Sequence, residues 1–221
     1  DCDDRYQIDV SKIERYINKN TKAIMPVHWG GASPDMKAIM NISKKYNLLV
    51  IEDACMGIGA KIFNKSPGTF GKVNAFSMHP LKSLNVMGDG GMVVTNDIKI
   101  YKWMLMYRNH GMVNRDNNNI WGVNMRIQPL QAIVAMNQLK NLNNVIKKRN
   151  LNAKYLDTKL SKLSKYIKIP NRPKGYIETF ALYMCLAKKR NKLLDYLDRQ
   201  GIECKIHYPK ELYLQKELKF L

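Results

Sequence analysis

Three apolar runs in the first third of the chain limit most strongly what it can fold into. The runs are KAIMPV at residues 22–27, LLVI at 48–51 and VNAFS at 73–77. The first two are continuous rather than alternating, which is typical of strands covered on both faces of a sheet. Between them, residues 35–46 have helical spacing, with Asp35 able to cap the start. Because this connection is long enough for a crossover, the sequence predicts an α/β protein with parallel strands.

Polar side chains stand where these predicted strands end. His28 and Asp53 follow the first two runs, Ser77 closes the third, and Lys82 lies in the loop just beyond it. The carboxyl ends of parallel strands meet at one edge of a sheet, and ligands bind at that edge. We therefore expect Asp53, Ser77 and Lys82 to form one site. His28 is better explained as a satisfied structural histidine than as a direct catalyst.

The amine of Lys82 is the most reactive group that the sequence offers at this edge. Apolar runs on both sides of its turn would hold the amine partly out of water, and desolvation favours the neutral, nucleophilic form of a lysine. Schiff-base chemistry with an aldehyde needs such an amine. Gly88, Gly90 and Gly91 follow and would let the backbone turn close to a bound group. The alternative is a solvated loop lysine, which is the usual case among the 37 lysine and arginine residues of the chain.

A carboxylate beside a reactive lysine suits one cofactor in particular, pyridoxal 5′-phosphate (PLP). The lysine would take the aldehyde, the acid would keep the pyridine nitrogen protonated, and electrons of the substrate Cα–H bond could then flow into the ring. Asp53 would be the acid, and Ser77 could donate to the phosphate. Asp53 on its own is equally well explained as a helix cap or a surface turn residue. No metal site is expected, because the four cysteines form no CxxC pair and zinc-site spacing is absent.

The formal charge of +19 raises the question of nucleic-acid binding, since clustered lysine and arginine pair with phosphates. The basic residues are spread along the chain and are denser on predicted helices such as 140–165, where a solvated outer face is their usual place. No RNA-binding or helix-turn-helix pattern stands out. A basic nucleic-acid-binding protein is therefore the least favoured interpretation, and we expect no nucleic-acid partner.

Signals for membranes and secretion are also missing from the sequence. No apolar run approaches the roughly 20 residues that cross a bilayer, and the chain opens on an acidic, polar stretch rather than a signal peptide. The widely spaced cysteines fit reduced thiols, so we expect a cytoplasmic protein with no membrane partner. The chain starts without Met and stops directly after an apolar and aromatic stretch, and we expect an internal piece of a longer protein.

The sequence after residue 97 predicts further helices and then a region of different texture. A helix to about Tyr107, a long polar loop at 108–124 and a long helix at 128–163 come first. The apolar stripe of the long helix is expected to be mostly core. Beyond it we expect a smaller α+β domain, which divides the chain into domains 1–154 and 155–221. Its predicted elements are strands at 166–169, 179–187 and 201–208 and a helix at 191–200.

Four segments stand in the order and spacing of one known family. They are EDACMGIGA (52–60), GTFGKVNAFSMHPLKSLNVMGDGGMVVTND (68–97), RNHG (108–111) and GVNMRIQPLQA (122–132). The chain resembles the DegT-type sugar aminotransferases over nearly its whole length. This resemblance implies a PLP-dependent enzyme of fold type I, with a mostly parallel mixed sheet in a large domain and a truncated, smaller C-terminal α+β domain. It also implies transfer of an amino group, from glutamate, to a keto sugar nucleotide in amino-sugar and surface-polysaccharide biosynthesis.

The same resemblance implies a role for each matched site residue. Lys82 would be the Schiff-base lysine and would move the proton between the substrate Cα and the cofactor C4′. Asp53 would pair with the pyridine nitrogen, and Ser77 would bind the phosphate. Asn124 would reach the phosphate of the neighbouring subunit's cofactor, which implies an obligate homodimer with shared active sites.

Met56, which would also face the cofactor, is the main departure from the family pattern. The family usually has Gln or His there, close to the phenolic oxygen of PLP, whereas a methionine sulfur accepts only weakly and donates nothing. The ring oxygen then needs another partner. Met56 is also the only sequence support for an alternative, a non-catalytic or regulatory protein that keeps the PLP fold. The resemblance further implies an N-terminal segment and a C-terminal end beyond this chain, so we expect the fragment alone to lack full activity.

Overall fold

The computed structural model describes residues 1–216, and the largest sheet among them has four strands. The α-helices are α1 (Val10–Ile13), α2 (Met36–Tyr46), α3 (Ile98–Tyr107), α4 (Pro129–Leu160) and α5 (Arg190–Arg199). The strands are β1 (Ala23–Ile24), β2 (Leu49–Asp53), β3 (Lys61–Ile62), β4 (Val73–Ser77), β5 (Gly91–Val94), β6 (Ile167–Lys168), β7 (Tyr176–Ile177) and β8 (Leu186–Ala187). Short 3-10 turns occupy Glu14–Tyr16, Trp29–Gly31, Ser161–Leu163 and Leu212–Leu214.

The central sheet has the strand order β1-β2-β4-β5. β1 and β2 run parallel, with Ala23 opposite Leu49, and β2 and β4 run parallel, with Asp53 opposite Ala75. β5 returns antiparallel to β4, so the sheet is mixed but mostly parallel. The predicted α/β class with a mostly parallel mixed sheet is therefore confirmed.

Helix α2 makes the crossover from β1 to β2 and packs against the sheet. The Asp35 carboxylate accepts a hydrogen bond from the Ala38 N–H (3.0 Å), which caps the helix start. Asn47 ends the helix in the left-handed conformation, with a φ of 51°. The buried apolar side chains between helix and sheet form the main core of the molecule: Ile24, Met36, Ile39, Ile42, Val50 and Ile62.

Ile39 is fully buried in this core (0% exposed), so Ile39→Ala is expected to lower the free energy of unfolding by about 2–5 kcal/mol. The exposed Lys37 of the same helix provides the matched control. Lys37→Ala is expected to change the free energy of unfolding by less than about 0.5 kcal/mol. Chemical denaturation measures both variants, and equal stabilities would contradict this packing.

A second core packs the loop after β4 against α4. The loop has no regular secondary structure, and buried apolar side chains fix its position instead. Each fully buried apolar side chain contributes about 1.5–3 kcal/mol to the free energy of folding. This core flanks Lys82 in the sequence. Its buried members are Met78, Leu84 and Val86 from the loop and Leu142 and Ile146 from the helix.

The described chain forms two compact units. One consists of residues 1–159 and 170–184 and contains the central sheet, the antiparallel pair β3–β7 and nearly all of α4. The other consists of residues 160–169 and those from 185 onward, and it contains the antiparallel pair β6–β8 and α5. The sequence-based domains 1–154 and 155–221 stay a prediction.

Two strands predicted in the second half of the chain differ from the structure. Residues 201–208 form no strand, because a strand needs a neighbour for its backbone groups and no strand in the described part of the chain pairs with this segment. The predicted strand at 179–187 is reduced to β8. The N–H groups of Thr179 and Leu182 instead donate to the carbonyls of residues 31 and 30, at 2.9 and 3.1 Å.

The apolar stripe of α4, predicted to be mostly core, is core only in part. Leu142 is 7% exposed, but Leu130, Ile133 and Leu139 are 77%, 62% and 56% exposed. Helical spacing shows that side chains share a face, and it does not show what covers that face. The prediction is therefore wrong for the first turns of the helix in this chain.

Candidate active site

Strand β2 ends in two carboxylates that point to opposite faces of the sheet. Successive residues of a strand alternate between the faces, and Glu52 is fully buried (0% exposed) whereas Asp53 is half-buried. Across the pairing to β4, Glu52 lies opposite Asn74 and Asp53 opposite Ala75. Asp53, Ala75 and Ser77 therefore share one face of the sheet, and Glu52 and Asn74 share the other.

The backbone of Asp53 is held by the segment that follows β1. The Asp53 N–H donates to the Pro26 carbonyl (3.0 Å), and the Asp53 carbonyl accepts from the His28 N–H (2.9 Å). In its side chain, Oδ1 accepts from the Cys55 N–H (3.1 Å). These contacts present a half-buried carboxylate at the carboxyl end of the strand, as the sequence predicted.

The Cys55 thiol interacts with both the predicted acid and the predicted amine. Burial, together with a hydrogen bond to Asp53 and the charge of Asp53, raises the pKa of Cys55 to about 11, and the positive charge of Lys82 opposes this shift. The thiol also lies 3.9 Å from the Ala75 carbonyl oxygen. Cys55 thus links the end of β2, which carries Asp53, to the neighbouring strand β4.

A tight loop carries the chain from Ser77 to Lys82. The Ser77 Oγ accepts from the His79 N–H (3.3 Å), and the His79 carbonyl accepts from the Lys82 N–H (2.9 Å). The Met78 N–H donates to the Gly90 carbonyl (2.8 Å), which ties the loop to the start of β5. Within this loop Lys82 is half-buried and lies five residues beyond the end of β4.

Gly91 lies opposite Ser77, where β4 and β5 approach each other closely. A Cβ atom at this position would stand 2.7 Å from the Phe76 carbonyl oxygen, closer than real Cβ contacts allow. A side chain here would push the two strands apart beside Ser77. Glycine is therefore required at position 91 by the close approach of β4.

A buried network around Glu52 was missed by the sequence analysis. Its carboxylate accepts hydrogen bonds from the N–H groups of Gly68, Phe70 and Gly71 (2.8, 2.7 and 2.7 Å), and the His28 Nε2 lies 2.9 Å from Oε2. Burial would raise the pKa of Glu52, but these hydrogen bonds outweigh burial and lower that pKa below its ordinary value. The available sequence signal was a glutamate that ends an otherwise apolar strand.

His28 belongs to this network rather than to the face that carries Asp53. The imidazole is fully buried (0% exposed), and its Nδ1 lies 3.0 Å from the Ser33 Oγ. Because an ionised carboxylate can only accept, the Nε2 atom donates to Glu52. His28 is therefore a fully bonded structural histidine.

Met56 joins the loop after β2 to two other segments. Its Sδ accepts a hydrogen bond from the Gly30 N–H (3.2 Å), and its carbonyl accepts from the Thr179 Oγ1 (2.8 Å). Gly31 has a φ of 92°, and a Cβ atom there would clash with the Thr179 hydroxyl. The structure thus gives Met56 a packing role, and its place beside a cofactor ring stays a prediction.

Asn124 is exposed on a loop of its own. Its Oδ1 accepts from the Arg126 Nε (2.9 Å), and the Arg126 Nη1 donates to the Asn109 Oδ1 (2.9 Å). The backbones of Asn109 and Asn124 also form an antiparallel bridge. No hydrogen bond within residues 1–216 joins Asn124 to the other predicted site residues, so its role stays a prediction.

The donor set at the ends of β2 and β4 has the chemistry that PLP requires. Lys82 offers an amine for an aldehyde, Asp53 a carboxylate for a pyridine nitrogen, and Ser77 a hydroxyl for a phosphate. Asp53 and Ser77 end neighbouring parallel strands on one face of the sheet, and Lys82 lies in the loop that follows Ser77. No cluster of three or more His, Cys, Asp or Glu side chains in the described part of the chain could hold a metal ion.

Comparison with known proteins identifies the family of the chain. Residues 1–219 match the model of the DegT/DnrJ/EryC1/StrS aminotransferase family. The chain is 34% identical over 211 residues to the pleiotropic regulatory protein of Geobacillus stearothermophilus, covering 95% of this chain and 57% of that protein. It is 35% identical over 217 residues to the UDP-N-acetyl-3-dehydro-alpha-D-glucosamine 3-aminotransferase of Acidithiobacillus ferrooxidans, covering 98% of this chain and 58% of that protein. The chain therefore spans less than two thirds of the curated relatives that it matches.

Solved structures show the same fold. S. venezuelae DesV, in complex with a ketimine intermediate, is similar with a TM-score of 0.93 and 30% identity, covering 98% of this chain and 58% of that chain. Helicobacter pylori PseC, an aminotransferase involved in pseudaminic acid biosynthesis, is similar with a TM-score of 0.91 and 28% identity, covering 99% of this chain and 61% of that chain. The predicted fold type is confirmed by these similarities.

Proposed function

Because the chain belongs to the DegT/DnrJ/EryC1/StrS aminotransferase family, we propose that this protein is a PLP-dependent aminotransferase that transfers an amino group, from glutamate, to a keto sugar nucleotide. The observation that supports the proposal is that Asp53 and Ser77 end neighbouring parallel strands, with Lys82 in the loop directly after Ser77. The names of two relatives support the substrate class. One is the glucosamine 3-aminotransferase above, and the other is the dTDP-3-amino-3,6-dideoxy-alpha-D-galactopyranose transaminase of Aneurinibacillus thermoaerophilus, 36% identical to this chain.

Three residues of this chain would hold PLP. Asp53 would bind its pyridine nitrogen, Ser77 its phosphate and Lys82 its aldehyde carbon. Bound PLP would supply an electron sink that makes the Cα proton of the amino donor removable. Lys82 is half-buried on a flexible stem, so its amine could take this proton and return it on the same face of the site.

Asp53 would keep the pyridine nitrogen protonated. Its carboxylate is held by the Cys55 N–H and its backbone by Pro26 and His28, so the acid is fixed before any ligand binds. Met56 would give the phenolic oxygen no donor, since its Sδ only accepts and is already bonded to the Gly30 N–H.

The absorbance spectrum of the full-length protein with PLP, before and after glutamate is added, tests the proposal. We expect the visible band of the lysine-bound cofactor to disappear on addition of glutamate and the shorter-wavelength band of pyridoxamine phosphate to replace it. A protein that binds PLP but converts it with no amino acid would contradict the proposal.

A regulatory protein with the same fold is the second candidate. One relative is named a pleiotropic regulatory protein, and another, the 29% identical EryC1 of Saccharopolyspora erythraea, is named a sensory transduction protein. Met56, in place of the usual hydrogen-bonding residue, is the sequence feature that favours this candidate. Stable PLP binding without conversion by any amino acid is the result that would select it.

A homodimer with shared active sites is part of the proposal. Apolar side chains at the start of α4 are exposed, among them Leu130 at 77% and Ile133 at 62%, and Trp121 in the preceding loop is 98% exposed. Several large apolar side chains exposed within one stretch of the sequence favour an interaction surface there. Asn124 is exposed next to this surface in the sequence, which supports its reaching a neighbouring subunit.

Leu130→Asp is expected to weaken the homodimer at least about tenfold, which corresponds to about 1.4 kcal/mol, because a carboxylate would be buried without a partner. Leu151→Asp is the matched control, since Leu151 lies on the same helix and is 59% exposed. Sedimentation equilibrium measures the dimer constant of both variants. Equal dimer dissociation constants for the two variants would show that the start of α4 does not lie in the dimer interface.

A cytoplasmic location is likewise proposed. All four cysteines, Cys2, Cys55, Cys185 and Cys204, are free thiols in the structure, which supports a reducing compartment. No helix within residues 1–216 is long and apolar enough to cross a membrane.

A further inference from the structure

Glu52, the second carboxylate at the end of β2, has no part in the proposed chemistry, yet both of its carboxylate oxygens accept hydrogen bonds. Glu52 is 0% exposed and directly precedes Asp53 in the strand. Because neighbouring side chains of a strand leave on opposite faces, Glu52 cannot touch a ligand bound on the Asp53 face. Any influence of Glu52 on that ligand must pass through the backbone.

The hydrogen bonds of Glu52 tie β2 to two other segments. One bond joins it to His28, in the segment after β1, at 2.9 Å. Three join it to N–H groups in the turn at 68–71, at 2.7 to 2.8 Å. Bonds to an ionised acceptor are roughly twice as strong as neutral ones, so this buried carboxylate is a firm link between the segments.

His28 closes a ring between Glu52 and Asp53. Its imidazole is bonded to the Glu52 carboxylate, while its backbone N–H donates to the Asp53 carbonyl (2.9 Å). The Asp53 N–H in turn donates to the Pro26 carbonyl (3.0 Å), and the Ser33 Oγ, 3.0 Å from Nδ1, orients the imidazole. The position of the Asp53 peptide therefore depends on the bond between Glu52 and His28.

Asn74 extends the network toward the end of β4. Its Oδ1 accepts from the Glu52 N–H (3.3 Å), and its side-chain amide donates to the carbonyls of Gly68 and Gly71 (2.9 and 3.1 Å). The turn at 68–71, the end of β2 and the start of β4 are thus bonded to one another. Ser77 ends β4 three residues after Asn74.

We propose that Glu52 is a positioning residue of the cofactor site, which sets the separation between Asp53 and Ser77 from the opposite face of the sheet. The inference rests on the proposed function, since it concerns the same site. A ligand that binds one of these residues through its ring nitrogen and the other through its phosphate requires a fixed separation between them. A misplacement of about 1 Å at such a site can cost about 100-fold in rate.

Glu52→Gln tests the inference. The substitution keeps the shape of the side chain but removes its charge, and it places an amide N–H where the carboxylate accepts hydrogen bonds from N–H groups. We expect the affinity of the full-length apoprotein for PLP, measured by fluorescence titration, to fall about tenfold or more. In metal sites, mutating a residue that hydrogen-bonds to a metal ligand lowers metal affinity or activity by about 10–100-fold. We expect a loss of PLP affinity of the same order here.

Val50→Ala is the matched control. Val50 is 3% exposed, lies two residues before Glu52 on the same face of β2, and has no side-chain hydrogen bond to lose. It is expected to lower the melting temperature of the apoprotein, as Glu52→Gln also does, while leaving the affinity for PLP unchanged.

The outcomes separate positioning from stabilisation. A lowered melting temperature with wild-type PLP affinity in Glu52→Gln would overturn the inference, because Glu52 would then only stabilise the fold. An equal loss of PLP affinity in Val50→Ala would also overturn the inference, because any destabilisation of β2 would then be enough to weaken PLP binding. If the wild-type protein binds no PLP, the proposed function itself fails.

Glu52→Asp keeps the inference testable if Glu52→Gln does not fold. It retains the charge but is one methylene shorter, so it cannot reach His28 and the turn at 68–71 together. We expect weaker PLP binding than in Val50→Ala at a comparable melting temperature. Wild-type affinity in Glu52→Asp would overturn the inference.

Discussion

Lys82→Ala is expected to abolish amino transfer by the full-length protein without unfolding it. The variant loses the half-buried amine that would bind the aldehyde and carry the proton. Proton transfer by a positioned side chain alone contributes about 10²–10⁴-fold, so kcat should fall by at least that factor. The loop keeps its buried anchors, Met78 and Leu84, so the thermal unfolding curve should change little. The measurements are the rate of amino transfer and the visible spectrum with PLP.

Two further variants separate the reactivity of Lys82 from its charge. Lys82→Arg keeps the positive charge, but a guanidinium stays protonated and is no nucleophile, so this variant should be as inactive as Lys82→Ala. Lys99→Ala removes an exposed lysine at the start of α3 and should retain full activity. Retained activity in Lys82→Ala would show that another group carries the chemistry.

Asp53→Asn is expected to reduce kcat by about 10²–10⁴-fold, the range for a lost acid–base group. The substitution keeps an oxygen that can accept from the Cys55 N–H, so the strand end should hold its shape. The neutral amide cannot keep a pyridine nitrogen protonated, and the electron sink weakens. The expected result is a strongly lowered kcat with PLP still bound, measured by steady-state kinetics and by the bound-cofactor spectrum.

Asp35→Asn is the matched control for this change. Asp35 caps α2 through the Ala38 N–H, and asparagine caps a helix about as well as aspartate. We expect wild-type kcat in Asp35→Asn. Equal activity in both variants would mean that the charge of Asp53 has no role in the reaction.

The placement of Asp53 and Ser77 could be predicted from the sequence because it follows from local pattern and one topological rule. Continuous apolar runs identified β2 and β4, and parallel strands put their carboxyl ends at one edge. The structure has β2 ending at Asp53 and β4 ending at Ser77. The helix cap at Asp35 was equally local, and the structure confirms it.

The network around Glu52 could not be predicted in this way. Its partners stand 16 to 24 residues away in the sequence, at His28 and in the turn at 68–71. No periodicity links a carboxylate to N–H groups in a turn, because the contact exists only once β2 and β4 are paired. The same limit applies to the start of α4, where helical spacing could not show that Leu130 is exposed.

Borohydride reduction of the PLP-loaded full-length protein, followed by peptide mass mapping, tests the central claim that Lys82 binds the cofactor. Reduction makes the bond between a lysine amine and PLP permanent, so the modified peptide identifies the lysine. The account predicts one phosphopyridoxyl group, on the peptide that contains Lys82. A label on another of the chain's lysines, or no label on a protein that has bound PLP, would contradict it.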